Sequence, residues 1–139
     1  MVLRCFLPLL LCASLVSADN PQARDSLLWD YSDFHQALRH GEWERAAKYL
    51  AKDSKIGFGG DLGLSGFHSV VRDDPSCVRS LILALDQGCR LEHANRELGC
   101  VSPPQFANPD VLYLGARVKF VYREASDAVV IRYLVCGGD

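Results

Sequence analysis

The sequence predicts an α+β fold, in which an N-terminal helical hairpin and one central helix pack on a small antiparallel sheet stabilised by disulfides. Apolar residues recur at helical spacing in the N-terminal part of the chain, and they alternate with polar residues near its C-terminus. Because the helical segments precede most of the strands instead of alternating with them, the class is α+β and not a βαβ repeat. The cysteine content supplies the third observation, as set out below.

The predicted hairpin follows a polar arm over residues 19–25. Its first helix starts at Ser26 and ends at Gly41, where glycine readily adopts the left-handed conformation of a helix C-terminus. Its second helix covers Glu42–Lys52. The apolar faces of the two helices consist of Leu27, Leu28, Tyr31, Phe34, His35, Leu38, Trp43, Ala46, Ala47 and Leu50.

The central helix is the element with the clearest boundaries. It covers Ser76–Gln87. Asp74 can cap its N-terminus, Pro75 suits its first turn, and Gly88 can end it. The sequence therefore fixes both ends of this helix by local chemistry.

The predicted strands are short. Lys55–Phe58 precedes the central helix and leads into the glycine-rich segment Gly59–Gly66, for which we expect tight turns. The turn Glu124–Asp127 separates the last two strands. The strands expected after the central helix are Cys89–Glu92, Leu98–Val101, Val111–Leu114, Arg117–Tyr122 and Val129–Val135.

Residues 1–18 have the three parts of an export signal. Arg4 gives a positive start, Phe6–Val16 is apolar but too short to span a bilayer, and small residues precede Ala18. We expect cleavage after Ala18, a single domain over residues 19–139, and a periplasmic or secreted protein. An uncleaved N-terminal anchor is the alternative, and no later segment is apolar enough to be a transmembrane segment.

Six cysteines are present, of which two lie in the predicted signal. An even number of cysteines in an exported chain predicts disulfides, here among Cys77, Cys89, Cys100 and Cys136. Three pairings are possible. We favour Cys89 with Cys100, because a turn near Asn95 would bring them together, and Cys77 with Cys136. The spacings fit no usual zinc site, so no metal or cofactor is predicted.

The charge balance argues against two classes of partner. Without residues 1–18, which carry one basic and no acidic residue, the chain has 14 basic and 17 acidic residues, a net charge of −3. Nucleic-acid binding requires clustered excess Lys and Arg, which the sequence lacks. Electrostatic attachment to an anionic membrane is disfavoured for the same reason.

Each candidate for catalysis has a simpler structural explanation. His35 and His40 flank the end of the first helix on different faces, as surface histidines do. His68 could act as a base oriented by a nearby carboxylate, but Asp74 already has a capping role. Ser65 lies in a motif one residue short of a nucleophile elbow. No catalytic residue is therefore predicted.

The glycine-rich segment Gly59–Gly66 is the most unusual local feature. Its backbone N–H groups could face an anion, but no Lys-Ser or Lys-Thr pair follows as in a phosphate-binding loop. Asp61, within this segment, would be a general acid only if the fold placed it in a pocket.

The segment Asp33–Leu50 resembles the opening helical hairpin of nuclear-transport-factor-like, or SnoaL-like, domains. It has an apolar helix, the Gly41-Glu-Trp43 corner and a second helix running towards a strand. This resemblance implies a curled sheet with helices that form a cone around a pocket.

The segment Leu114–Leu134 is similar to the first hairpin of bacterial Src-homology-three-like domains, which commonly serve in the cell envelope. About half of such a barrel would lie beyond Asp139, so we expect the hairpin to complete the sheet of the preceding unit, without wall-peptide binding. Phe58–Phe67 is similar to a segment of bacterial exported proteins with this hairpin, which implies no function.

Two functional hypotheses follow. The first is a small exported, non-catalytic binding protein of the cell envelope with a protein partner, for example an inhibitor or immunity protein for an envelope-acting enzyme. The second is a nuclear-transport-factor-like pocket protein that binds or transforms a small apolar ligand. A cavity lined by Trp43, Phe58 and Phe67 would favour the second, and a filled core the first. The predicted ligand or partner contacts are Trp43, Asp61, His68 and Tyr113.

Overall fold

A computed structural model describes residues 18–57, 60–108 and 115–137. Within these ranges, four α-helices and one 3-10 helix accompany a six-stranded sheet with the strand order β2-β1-β6-β5-β4-β3. The elements are α1 (Pro21–His40), α2 (Trp43–Ala47), β1 (Leu50–Ile56), β2 (Asp61–Leu62), α3 (Gly63–Asp73), α4 (Pro75–Asp86), β3 (Cys89–Glu92), β4 (Glu97–Ser102), the 3-10 helix (Pro104–Ala107), β5 (Ala116–Arg123) and β6 (Ala128–Val135).

The predicted α+β class is confirmed, with the helices packed on one sheet. All neighbouring strands are antiparallel except β1 and β6, which run parallel, so the sheet is mixed. The hairpin of β5 and β6 lies between β4 and β1 and completes the sheet of the preceding unit, as expected. No helix in the described ranges is both long and apolar enough to cross a membrane.

Helix α1 is longer than predicted, because it has its own N-terminal signals. The Asn20 side chain accepts a hydrogen bond from the Ala23 N–H at 3.0 Å, and Pro21 occupies the first turn. The helix therefore begins at Pro21 and not at Ser26. It ends at Gly41 as predicted, in the left-handed conformation with φ of 69°.

The second helix of the hairpin is shorter than predicted. It ends at Ala47, and the chain continues as β1 from Leu50. The Ile131 N–H donates to the Tyr49 carbonyl at 2.7 Å, which ties this segment to β6. Pairing with the sheet therefore takes precedence over the helical periodicity of residues 48–52.

The glycine-rich segment forms a two-residue strand and the start of α3, where tight turns alone were expected. Gly63 has a φ of 58°, and a side chain there would lie 3.1 Å from the Ala51 carbonyl oxygen. A Cβ at Gly66 would lie 3.0 Å from the Cβ of Ile56. Both glycines thus let α3 pack closely against β1.

Helix α4 and the C-terminal strands agree closely with the prediction. The Asp74 carboxylate accepts a hydrogen bond from the Cys77 N–H at 2.9 Å and caps α4. The strands β3 and β4 pair with Cys89 opposite Cys100. The predicted strand Val111–Leu114 lies outside the described residues.

The two faces of the sheet have different chemistry. We call the face beneath the helices the inner face and the opposite one the outer face. Side chains alternate along β5, so that Val118 and Phe120 are buried on the inner face while Lys119 and Val121 lie on the outer face. The core contains the large, fully buried side chains Leu27, Phe34, Leu38, Ile56, Phe67, Leu81, Leu85, Leu98, Phe120, Ile131 and Leu134.

Both favoured disulfides are present. Cys77–Cys136 joins α4 to the end of β6, with the Cα atoms 5.4 Å apart. Cys89–Cys100 joins the neighbouring strands β3 and β4, with the Cα atoms 4.3 Å apart. The first therefore links the helical layer to the sheet, and the second closes the edge of the sheet.

Candidate functional site

Of the four side chains predicted as ligand or partner contacts, the three that the structure describes do not line one common groove. Trp43 is half-buried at the start of α2, where its ring would be 3.5 Å from a Cβ at Gly41. His68 lies on α3, with its Nε2 atom 4.0 Å from a Glu44 carboxylate oxygen. Asp61 is exposed on β2 at the edge of the sheet. Tyr113 lies outside the described residues.

A cavity shared by Trp43, Phe58 and Phe67 would favour the pocket hypothesis, and the two of these side chains that the structure describes, Trp43 and Phe67, do not line one together. Phe67 is fully buried in the core, in contact with the apolar side chains of the other elements. Phe58 lies outside the described residues. Of the described residues, the apolar side chains beneath the helices thus fill the centre of the fold instead of lining a pocket.

A groove lies instead at one end of the inner face, between α3, α4 and the ends of three strands. We call it the inner groove, and its volume is about 690 Å³. Its apolar lining includes Val70, Leu83, Ala116 and Leu134. The remaining lining residues are Gly57, Asp74, Ser76, Cys77, Ser80, Ser102, Pro103, Gly115, Cys136 and Gly137.

The polar groups of the inner groove are mainly hydroxyls. Ser76 and Ser80 come from α4, and Ser102 comes from the end of β4. The disulfide Cys77–Cys136 forms part of the lining and joins two of its sides. The lining of the groove therefore combines apolar side chains with hydroxyl groups, and a disulfide joins two of its sides.

The described lining of the inner groove contains one ionisable side chain, Asp74. It accepts hydrogen bonds from the Ser76 hydroxyl at 2.7 Å and from the Cys77 N–H at 2.9 Å. These bonds hold the pKa of Asp74 below its usual value, with the Ser76 hydroxyl as the largest cause. The carboxylate is thus an ionised helix cap and a weak proton acceptor.

A second polar cluster ties α1 to the end of α4. The Asp86 carboxylate contacts His35 Nε2 at 2.6 Å and accepts from the Arg39 guanidinium at 2.5 Å. The His35 ring stacks on Tyr31, whose hydroxyl donates to the Leu85 carbonyl at 2.7 Å. Hydrogen bonding from Arg39 lowers the pKa of Asp86. The arrangement joins two helices, and the prediction of His35 as a surface or interface residue fits it.

A third cluster lies at the corner of α1, α2 and β1. The Tyr49 hydroxyl donates to Asp33 at 2.6 Å, and Arg45 donates to the same carboxylate through Nε at 2.9 Å. The pKa of Asp33 is lowered, chiefly by Arg45 and then by Tyr49. Burial and the hydrogen bond to Asp33 raise the pKa of Tyr49. The sequence does not predict this cluster, because charged residues around a helical hairpin are ordinary and Tyr49 is brought to them only by the fold.

One group on the outer face could hold a metal ion by its composition. Ligand atoms of Glu92, His93 and Glu97 lie within 4.8 Å of one another. Both carboxylates are already ion-paired: Glu92 with Lys119, and Glu97 with Lys119 at 3.5 Å and Arg132 at 3.0 Å. A metal ion would have to compete with these two cations, so the group is better described as an ion-pair network.

Comparison of the sequence with protein-family models gives no match, and comparison with curated proteins gives none either. Comparison of the fold with solved structures gives two. A candidate polyketide cyclase from Xanthomonas campestris pv. campestris has a TM-score of 0.50 and 13% identity, over 84% of this chain and 93% of that chain. A candidate ketosteroid isomerase from Shewanella frigidimarina has a TM-score of 0.43 and 13% identity, over 81% of this chain and 93% of that chain.

The likeness to the first structure supports the nuclear-transport-factor-like, or SnoaL-like, fold that the helical hairpin implied. At this level of identity it defines the fold and not the chemistry. In the described residues, the space between the helices and the inner face is occupied by core side chains except at the inner groove.

Proposed function

We propose that the protein binds a small, largely apolar and uncharged ligand in the inner groove and does not transform it. The observation that supports this proposal is the groove itself, which has about 690 Å³ between the helices and the inner face. Sites for small molecules are typically concave, about 300–1,000 Å³ in volume and mostly apolar. The inner groove has this shape and volume, its lining combines apolar and polar groups, and it lies where the fold opens between its two layers.

The lining indicates the ligand class. Leu134, although part of the lining, is fully buried. The apolar groups of the lining that face solvent are Leu83, which is about half exposed, and Val70, which is half-buried. Covering these groups with an apolar ligand would remove this surface from water. The Ser76 hydroxyl already donates to Asp74 and the Ser80 hydroxyl to the Ser76 carbonyl, so each can accept a hydrogen bond from a hydroxyl group of the ligand. The Ser102 hydroxyl could donate to a carbonyl group of the ligand. Since no cation lies in the described lining, an anionic ligand is disfavoured.

The lining also favours binding over catalysis. General acid–base catalysis needs a titratable group near the working pH and within reach of the ligand. In the described lining, Asp74 is the only such side chain, and it is held ionised as the cap of α4. Asp61 and His68, the predicted candidates, lie elsewhere on the surface. The proposal thus combines the non-catalytic character of one sequence hypothesis with the ligand class of the other.

Two matched leucines allow a direct test. Leu83 is 52% exposed and lines the groove, and Leu64 is 51% exposed on α3 outside it. We expect the neutral fluorescent probe N-phenyl-1-naphthylamine to bind saturably to the oxidised wild-type chain. Leu83→Gln should weaken binding by about tenfold, the equivalent of one lost apolar contact, and Leu64→Gln should not. Absence of saturable binding, or equal effects of the two variants, would refute the proposal.

We further propose that the protein acts outside the cytoplasm. Two disulfides support this location, because such bonds persist in oxidising compartments. Expression of the full chain in a bacterial host should yield a periplasmic protein whose N-terminal residue is Asp19. Recovery from the cytoplasm with residues 1–18 retained would contradict both export and the predicted cleavage.

The envelope protein partner stays a prediction. The described surface contains no feature that identifies an inhibitor or immunity protein. A pull-down from envelope extract, made with the wild-type chain and with Leu83→Gln, separates the two hypotheses. A stoichiometric protein partner retained by both would support the first, and a co-purified small molecule lost from the variant would support the groove.

A further inference from the structure

We propose a second binding site, on the outer face, for a small organic anion that carries an aromatic ring. The site is a groove of about 300 Å³, which we call the outer groove. It runs over β3, β4, β5 and β6 and is flanked by the 3-10 helix that follows β4. It is separated from the inner groove by the sheet, so the proposal is independent of the function proposed above.

Three cations line the outer groove against a single carboxylate. Arg90 comes from β3, Arg117 and Lys119 come from β5, and Glu92 is the carboxylate. The excess of positive charge is local, because the whole chain has a net charge of −2. An excess of one sign of charge along a groove concentrates ligands of the other sign.

The cations differ in their availability. Lys119 has a side chain that is 12% exposed and ion-paired with Glu92 and Glu97, and Arg117 donates to the Phe106 carbonyl at 2.9 Å. The Arg90 side chain is exposed and forms no ion pair within the described ranges. Arginine can bind a carboxylate or phosphate with two parallel hydrogen bonds. Arg90 is therefore the expected main contact for the anionic group.

Lys119 contributes charge even though it is largely buried. Burial favours the neutral amine, but the hydrogen bond to Glu92 and the surrounding charges outweigh it, so that the pKa of Lys119 is raised. The groove thus keeps its positive lining across the neutral range.

Two aromatic rings give the outer groove an apolar component. Tyr133 lies on β6 opposite Lys119, and Phe106 lies on the 3-10 helix. Val101 and Pro104 add aliphatic surface. An inorganic anion would leave these groups uncovered, whereas an aromatic acid would contact them while its charged group reached the arginines.

Gly99 leaves space on the β4 side of the groove. A Cβ at this position would lie 3.1 Å from Glu92 Oε1 and 3.4 Å from Lys119 Nζ. Both contacts are with the ends of flexible side chains. An alanine there would therefore shift the ion pair and narrow the groove while leaving the strand intact.

The test uses the oxidised full chain and isothermal titration with four probes. Benzoate and phenyl phosphate carry both features, benzyl alcohol carries only the ring, and inorganic phosphate carries only the charge. We expect at least one of the two aromatic anions to bind at least about tenfold more tightly than either control probe. Which of the two binds more tightly assigns the anionic group. Binding of benzyl alcohol or of inorganic phosphate as tight as that of the aromatic anions would overturn the proposal.

Variants locate the site. Arg90→Gln should weaken binding of the aromatic anion by about tenfold or more, and Gly99→Ala should also weaken it. Arg79→Gln removes a similarly exposed arginine from α4, outside the outer groove, and should leave binding unchanged. Equal affinity of Arg90→Gln and wild type, or equal loss in Arg90→Gln and Arg79→Gln, would refute the assignment.

Discussion

Neighbouring residues of one strand have different roles on the inner and outer faces of the sheet. On the inner face, Phe120 is fully buried and meets the rings of Phe34 and Tyr31 edge-on, at centroid distances of 5.6 and 6.2 Å. On the outer face, the adjacent Lys119 pairs with the carboxylates of Glu92 and Glu97. Apolar burial supplies most of the stability of a fold, whereas a largely buried ion pair loses much of its attraction to the cost of removing its charges from water. The outer face is therefore free to serve recognition, while the inner face holds the layers together.

The largest effect is expected from Phe120→Ala. Removing a fully buried aromatic ring leaves a cavity among Phe34, Tyr31 and the helices, so the free energy of unfolding should fall by about 3–5 kcal/mol. Tyr133→Ala, which removes a partly exposed aromatic ring from the outer face, is the matched control and should cost markedly less. Urea denaturation measures both. Similar losses for the two variants would break the contrast between the faces.

The two disulfides allow the link between the helical layer and the sheet to be compared with the link at the edge of the sheet. Replacing Cys77 and Cys136 by alanine releases a link of 59 residues, and replacing Cys89 and Cys100 releases one of 11 residues. Loop-closure entropy makes the first loss larger by about 1.5 kcal/mol, within a range of about 2–4 kcal/mol for each disulfide. Denaturation of the two double variants tests this order. A larger loss on replacing Cys89 and Cys100 would mean that the edge of the sheet depends on its disulfide more than the contact between the layers does.

Two glycines, one on each side of the sheet, allow the effect of one added methyl group to be compared between the faces. Gly66→Ala places a Cβ 3.0 Å from the Cβ atoms of Ile56 and Asp61, in the contact between α3 and the sheet. Overpacking should outweigh the gain in helix propensity and leave a net loss of about 1 kcal/mol. Gly99→Ala meets only flexible side-chain ends and should change stability by less than about 0.5 kcal/mol. Greater destabilisation by Gly99→Ala would show that the outer ion pairs are more rigid than their chemistry suggests.

The parts of the fold that follow local rules could be predicted from the sequence. The cap at Asp74, the end of α1 at Gly41 and the facing of Cys89 and Cys100 all depend on residues close in the chain. The glycines of residues 59–66 predict turns, but Gly66 lies in helix α3, where its lack of a side chain meets a packing requirement set by Ile56 on another element.

Neither groove could be predicted, because each collects side chains from several elements. The inner groove is lined by Val70 from α3, Leu83 from α4 and Leu134 from β6. None of these residues lies in a sequence motif that would mark it as part of a binding site. Trp43, Asp61 and His68 were chosen because their types are common in sites, but residue type alone does not determine where a side chain lies in the fold.

The smallest expected effect on stability concerns the ion pair of Asp33 and Arg45, on the helical side of the sheet. It tests whether polar contacts on that side contribute to stability as those of the outer face do. Arg45, and then Tyr49, lower the pKa of Asp33 below its ordinary value of 3.8. A carboxyl whose pKa is lower in the folded state adds stability above the unfolded value, and this contribution disappears as the pH falls through the folded value. The stability difference between wild type and Asp33→Asn should therefore be greatest near neutral pH and shrink below about pH 3.8.

Partial exposure of Asp33 and Arg45 keeps this difference smaller than the effect of Gly66→Ala, because solvent screens the pair. Repeating the comparison in an Arg45→Met background should flatten the pH dependence, since the principal cause of the lowered pKa is then absent. Urea denaturation from pH 2.5 to pH 7 measures all four proteins. The stability difference between wild type and Asp33→Asn could instead stay constant across this range. The Asp33 carboxyl would then act through packing or neutral hydrogen bonds. In that case the polar corner of α1, α2 and β1 would resemble the inner face more than the outer face.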